Sequence, residues 1–370
     1  MNLGNQTLNP ESLAACLTVA LLNKLKVLIV SYPGVGKTEI VKQTVAALGY
    51  DLIIFHPAIS DPTDFKGMPC TFQRNGEQVA EFMPFGDLNI LFTAQRPTVV
   101  FIEDCGQAPF SVQAALMQPI QERRVNGRKI SEHILFVAAT NDPTMKAGVV
   151  GLIEPFKSRW DTIVTLGVSQ PHWENHAASH RYYHTVVNFI KAFPSMLHPL
   201  TLGTPEVQKR YTLSTKELTN MPCPRTVESV SKWEHAYEGK APAAVIDGAV
   251  GEGWRLAYVA YRAVYSEFPD PLEIIKNPTT ALVPTNPSAL YAVTTALAFH
   301  ASEEHSDAIV TYGERIAKSI KSGKPFEVRL HQLALRYDKG FWGPKAKKAQ
   351  KWGVENAQFI SAALFGGKAA

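Results

Sequence analysis

Residues 31–38 read SYPGVGKT and follow directly on the apolar run VLIV at 27–30. A glycine-rich turn between a strand and a helix can point successive backbone N–H groups at phosphate oxygens, and the dipole of the helix opening at Lys37 favours the same anion. Behind it Ile40, Val41, Val45 and Leu48 recur at helical spacing, and Gly49 supplies a stop. The residues placed to hold a nucleotide are Ser31, Tyr32, Pro33, Gly34, Val35, Gly36, Lys37, Thr38 and Glu39. Lys37 would reach the β- and γ-phosphates, and the Thr38 hydroxyl would bind Mg²⁺. The pattern GxxxxGK[ST] asks for glycine where Ser31 stands. If that position needs positive φ, serine costs about 1 kcal/mol, too little to abolish binding. The chain has no NKxD-type stretch that would read guanine, so ATP is the expected nucleotide.

Further apolar runs at 52–55, 98–102, 134–140 and 162–166 alternate with helical stretches. Each is apolar on both faces, the mark of a parallel sheet covered by helices on both sides. The expected fold is therefore an α/β P-loop core with a five-stranded parallel sheet. At the end of the run 98–102 come Glu103 and Asp104. In a phosphoryl-transfer site one such carboxylate holds Mg²⁺ and the next polarises the attacking water. The usual order is Asp then Glu; here Glu103 falls on the metal side and Asp104 on the water side, each one methylene from the usual length. In a shifted register Asp104 takes the metal and Cys105 stands in for the base. Slow turnover is expected from the first register and almost none from the second. Asn141 ends an otherwise apolar strand, where α/β sheets meet their ligands, and would orient the water. Arg159 lies between a helix end and the last core strand. Arg225 opens a helix, where the dipole disfavours a cation, and this suggests an anionic partner.

Taken together these motifs resemble the AAA+ ATPases of the MoxR-like, helix-2-insert type, related to the NorQ/CbbQ and dynein-related group. The segment DCGQAPFSVQAALMQPIQERRV (104–125) is similar to the MoxR pattern in which the acids lead into a VQ-containing helix. DPTDFKGMP (61–69) and the strand-like residues after it resemble the insert that interrupts the second helix. The alignment gives Glu103 the metal-side position and Asp104 the water-side one. It makes Asn141 sensor 1, Arg159 the arginine finger and Arg225 sensor 2. The resemblance implies a homo-oligomeric ring, usually a hexamer, with ATP and Mg²⁺ at subunit interfaces. Hydrolysis would remodel or assemble a protein partner, often a von Willebrand factor A (VWA) domain protein. It covers roughly residues 10–240. The expected division is a nucleotide-binding core at 1–167 with an insert near 60–85, a helical lid at 168–240 and a mainly helical region at 241–370.

Bulk properties agree with this reading and narrow little else. At 370 residues and 45% hydrophobic content the chain can bury a large core. Four scattered cysteines without a CxxC pair suggest neither a disulfide framework nor a zinc knuckle, and a reducing cytoplasm is the expected setting. No apolar run is long enough to cross a membrane, and the apolar stretch at 13–22, opened by Asn9-Pro10-Glu11, reads as an ordinary amphipathic helix. A net charge of +4 does not by itself imply nucleic acid. The lysine-rich tail beyond Lys339, with Trp342 and Trp352, keeps a nucleic-acid-directed motor as the alternative, beside an ATP-binding scaffold with little turnover. His172, His176, His180 and His184 recur every four residues, a spacing that on one helix would allow a metal site.

Overall fold

The computed structural model describes residues 7–142, 151–205, 208, 220–265, 270–320 and 323–356. They form two compact units, residues 1–169 and 170–370.

The first unit is built on strands β1 (Thr7–Leu8), β2 (Val27–Ser31), β3 (Asp51–Phe55), β6 (Thr98–Ile102), β9 (Ile134–Asn141) and β10 (Thr162–Leu166). They make one parallel sheet in the order β1-β10-β2-β9-β6-β3. The five expected strands are all present. The sheet is nonetheless six-stranded, because the two residues of β1 add an edge too short to carry any periodicity.

Alternate residues of each strand feed two different cores, as a sheet sandwiched between helices requires. Val27, Ile29, Val99, Phe101 and Val137 pack with Leu13 and Leu17 of α1 (Pro10–Leu22) and with Val41 and Val45 of α2 (Lys37–Ala47). Leu28, Val100, Ile102, Phe136 and Ala138 face the other way, onto Leu116 and Ile120 of α5 (Phe110–Glu122). Asn9 caps α1 by accepting from the Ser12 N–H at 2.7 Å. α2 ends with Gly49 at φ 67° and the Tyr50 N–H donating back to the Val45 carbonyl at 3.1 Å, a left-handed C-terminal cap.

Between β3 and β6 the chain makes the short helix α3 (Pro62–Lys66), capped by reciprocal bonds of Asp61 and Asp64, and then the antiparallel hairpin β4 (Met68–Arg74) and β5 (Glu77–Met83). Asn75 and Gly76, both at positive φ, form its two-residue turn. The one-turn helix α4 (Ile90–Thr93) leads into β6. A second small hairpin, β7 (Arg124–Val125) with β8 (Arg128–Lys129), separates α5 from β9, and α6 (Glu154–Lys157) precedes β10.

Among the described residues, the regular elements of the second unit are all helices, beginning with α7 (Gln170–Ser179) and α8 (His184–Ala192). Its largest core gathers Leu290 and Leu297 with Tyr312, Leu330, Phe341 and Trp352. The helices expected as a lid and those of the C-terminal region group into this one unit. Among the described residues no helix is long and apolar enough to cross a membrane.

Candidate nucleotide site

The sheet order decides what can meet at the strand ends. β9 lies between the strand that feeds the phosphate loop and the strand that carries the acids. Registers Ser31↔Asn141 and Ile102↔Ala138 therefore bring Ser31, Asn141, Glu103 and Asp104 to one carboxyl-end edge.

The loop 32–36 has Gly34 at φ 74° and Gly36 at φ 100°. A Cβ on Gly36 would meet nothing within 4 Å, so backbone conformation and not space calls for glycine there. The positive φ that would have strained a serine does not arise at Ser31. This residue is the last of β2, paired on both sides in the sheet. Its hydroxyl has a use of its own, accepting from Lys37 Nζ at 3.1 Å.

Lys37 is 7% exposed, and a cation taken that far out of water requires polar partners. Besides Ser31, its ammonium donates to Asn141 Oδ1 at 2.7 Å. The amide nitrogen of Asn141 donates in turn to Asp104 Oδ1 at 3.2 Å. A continuous run of bonds thus joins Ser31, Lys37, Asn141 and Asp104. Glu103 belongs to a different set: its carboxylate accepts from the Thr38 hydroxyl and lies 3.7 Å from His56 Nδ1. The two adjacent acids point to different partners because the backbone turns between them. The Glu103 N–H is still bonded to the Phe55 carbonyl at 2.9 Å, as if the sheet continued, whereas Asp104 has φ 51° and ψ 36°, in the left-handed region.

Cys105 is wholly buried, packed with Val112, Leu116 and Phe156, and burial pushes its thiol up to about 12. A thiol held that far from ionisation is a poor base at neutral pH. Tyr32 is raised too, first by burial and then by the carboxylate of Asp142.

Thr38 and Glu103 offer facing hydroxyl and carboxylate oxygens, the hard donors Mg²⁺ prefers, beside a loop shaped for phosphate. Among the described residues no cluster of three or more His, Cys, Asp or Glu forms a metal site independent of a bound nucleotide.

Arg159 does not join this cluster of bonds. It follows α6, its Nη1 donates to the Pro155 carbonyl, and its Nε is buried without a hydrogen-bond partner. Arg225 is in the second unit, exposed in the first turn of the helix Pro224–Ala236. The histidines His172, His176, His180 and His184 correct the reading of a single stripe. α7 ends at Ser179, Arg181 turns left-handed at φ 52°, and His184 opens α8. His176 and His180 stack on each other at 3.9 Å between ring centroids.

Two residues escape the motif reading. His56 follows β3, whose register Phe55↔Ile102 sets it beside Glu103; a polar residue just past an apolar strand was the available signal. Gln113, the glutamine of the VQ pair in 104–125, received no role in that reading; it is a fully buried amide on the core face of α5, where the helix pattern asks for an apolar residue.

No protein-family model matches the chain, and no curated protein does. Among solved structures it is similar to the Holliday junction branch migration motor RuvB of Thermotoga maritima, at 14% identity over 78% of this chain and 80% of that one, with a TM-score of 0.36. It is also similar to NtrX of Brucella abortus, at 10% identity over 90% of this chain and 69% of that one, with a TM-score of 0.38. At such scores the chemistry of the site rests on its own geometry.

Proposed function

We propose that the chain is an AAA+ ATPase of the MoxR-like kind, which binds ATP with Mg²⁺ on the loop 31–39 and hydrolyses it. The observation that carries this is the separation of the two acids, Glu103 onto Thr38 and Asp104 onto Asn141 and, through it, Lys37. This separation supports a reading with Glu103 on the metal side and Asp104 on the side where water meets the γ-phosphate, the division that hydrolysis requires. With Cys105 buried among apolar side chains, the shifted register loses its base.

In this reading the loop amides and Lys37 bind the phosphates, and Lys37 exchanges its bonds to Ser31 and Asn141 for phosphate oxygens. Asn141 and Asp104 orient a water, and Asp104 accepts its proton as the bond from water oxygen to phosphorus forms and the bond to the ADP oxygen breaks. Thr38 and Glu103 would hold Mg²⁺, which supplies positive charge to the phosphate oxygens when bound. The Asp104 carboxylate is one methylene shorter than the usual glutamate, so turnover is slow.

Arg159 acts on the ATP of a neighbouring subunit in a homo-oligomeric ring, a hexamer by resemblance, and Arg225 on that of its own. The ring remodels a protein client, with a VWA-domain protein as the first candidate. Support for ring and client comes from the motif resemblance. Support for the trans role of Arg159 comes from the same resemblance.

The test is complementation. Lys37→Ala should abolish ATP binding by calorimetry, and Arg159→Ala should bind ATP but lose roughly 10³-fold in rate. A mixture of the two, shown to co-assemble, should recover activity at interfaces that pair an intact site with an intact Arg159. A co-assembled mixture without activity at any ratio removes the trans role of Arg159.

A further inference from the structure

We propose that Gln113 is a positioning residue that couples the acid loop of one subunit to the Arg159 that the same subunit presents to its neighbour. The inference rests on the reading of Arg159 as acting in trans.

After Asp104 the chain makes one tight turn, with the Gln107 N–H on the Asp104 carbonyl at 2.9 Å. Two carbonyls of this turn region are then tied elsewhere. Gly106 O accepts from the Gly151 N–H at 3.1 Å, and Ala108 O accepts from Gln113 Nε2 at 3.0 Å. The same Nε2 donates to the Gly151 carbonyl at 2.8 Å, while the Ile153 N–H donates to Gln113 Oε1 at 3.1 Å. One wholly buried side chain therefore has both amide hydrogens and its oxygen engaged, and it holds the acid loop and residues 151–153 together.

What lies beyond 153 gives this its consequence. Ile153 is the N-cap of α6, and its carbonyl accepts from the Phe156 and Lys157 N–H groups. Phe156 and Trp160, edge to face at 5.8 Å, anchor that single turn in the core also used by Leu116 of α5. Arg159 sits between these anchors. A displacement of the acid loop when Asp104 changes partner has a short, fully bonded route to α6 and hence to the guanidinium. A buried amide acting only as core packing has the same bonds but predicts no response of 151–153 to nucleotide.

The experiment separates the two sides of the interface. Gln113→Met keeps the volume and removes all three bonds. It is placed in the finger-donating subunit, Lys37→Ala/Gln113→Met, and mixed with Arg159→Ala. The expected result is at least a tenfold loss of activity against the Lys37→Ala plus Arg159→Ala mixture, although the site that hydrolyses carries an intact Gln113. Equal activity overturns the proposal. A dead reference mixture instead overturns the trans reading and, with it, this inference. Because the Lys37→Ala donor binds no ATP, the mixture reads how Gln113 holds Arg159, and amide exchange at Gly151 and Ile153 in the unsubstituted protein, with Gln113→Met beside it, reads the coupling to nucleotide. An ATP-dependent change at both amides that Gln113→Met abolishes supports coupling through Gln113; unchanged exchange in the unsubstituted protein, or a change that Gln113→Met leaves intact, overturns it.

Discussion

Asp104 combines a proposed chemical role with a backbone conformation that most residues resist. A non-glycine residue in the left-handed region costs about 1 kcal/mol, less for Asp or Asn than for others. At φ 51° the carboxylate is turned toward Asn141 instead of following Glu103 to Thr38. Three substitutions separate conformation from chemistry. Asp104→Gly, Asp104→Asn and Asp104→Ala should all bind ATP and fail to turn it over, yet Gly should be more stable than Ala by about 1 kcal/mol. Thermal unfolding and calorimetric ATP titration read both properties. An alanine variant as stable as the glycine variant would mean the turn relaxes when the carboxylate is lost. At this scale the sequence announces residue types but not their bonds. Ser31 reads as a departure from glycine, whereas its hydroxyl holds Lys37, a fact that depends on where the strand ends.

Among the elements, the hairpin of β4 and β5 depends on Gly67. That residue has φ 92°, and a Cβ there would stand 2.6 Å from the Met83 carbonyl oxygen. Neither atom belongs to a flexible side chain, so Gly67→Ala must open the hairpin base. The expected outcome is faster proteolysis within 68–83 and a melting temperature lowered by several degrees, for a cost of roughly 1–3 kcal/mol. Unchanged proteolysis would show that the hairpin is held by something other than its base. The core strands were legible because burial on both faces forces unbroken apolar runs; β4 and β5 were legible only as strand-like residues of the insert, and their Asn75-Gly76 turn went unread. β1 was not, since two residues carry no period. The histidines misled for a related reason: spacing of four is compatible with a helix but does not require one, and the reversal at Arg181 has no strong signal in HRYYH. Gln113 was legible as a residue and opaque as a clamp, because its partners lie 5 and 38 residues away in sequence.

The two units of the molecule should respond differently to acid. His184 and His331, depressed by burial to about 3, and His198, depressed by burial to about 4, all belong to residues 170–370. Each has a folded value below the ordinary 6.5, so its share of stability is fully present above pH 6.5 and is lost as pH falls toward the folded value. Each such group contributes a slope of about 1.4 kcal/mol per pH unit. Five of the six tryptophans also lie in this unit, and their fluorescence in urea titrations should show it weakening between pH 6.5 and 4.5. His331 is the cleanest probe, stacked on Trp352 at 3.6 Å with both ring nitrogens buried and unpaired. His331→Phe keeps a stacking ring and should make that pH dependence shallower. An unchanged slope would assign the acid sensitivity elsewhere.

The strand order of the sheet bears on how the protein is made. β2 leads into the loop 31–38 and leaves the ribosome well before its neighbours, β9 and β10. Thr162, which pairs with Val27, is synthesised 135 residues later. At about 5–20 residues per second the strand waits roughly 7–27 s for its last partner. Nascent chains stalled before residue 134 hold the complete SYPGVGKT turn on a strand with neither neighbour, and they should not retain ATP. Chains stalled far enough beyond residue 166 for β10 to clear the exit tunnel should. The proposed nucleotide site is thus encoded long before it can be assembled, and during that interval an apolar strand depends on whatever else in the cell will cover it.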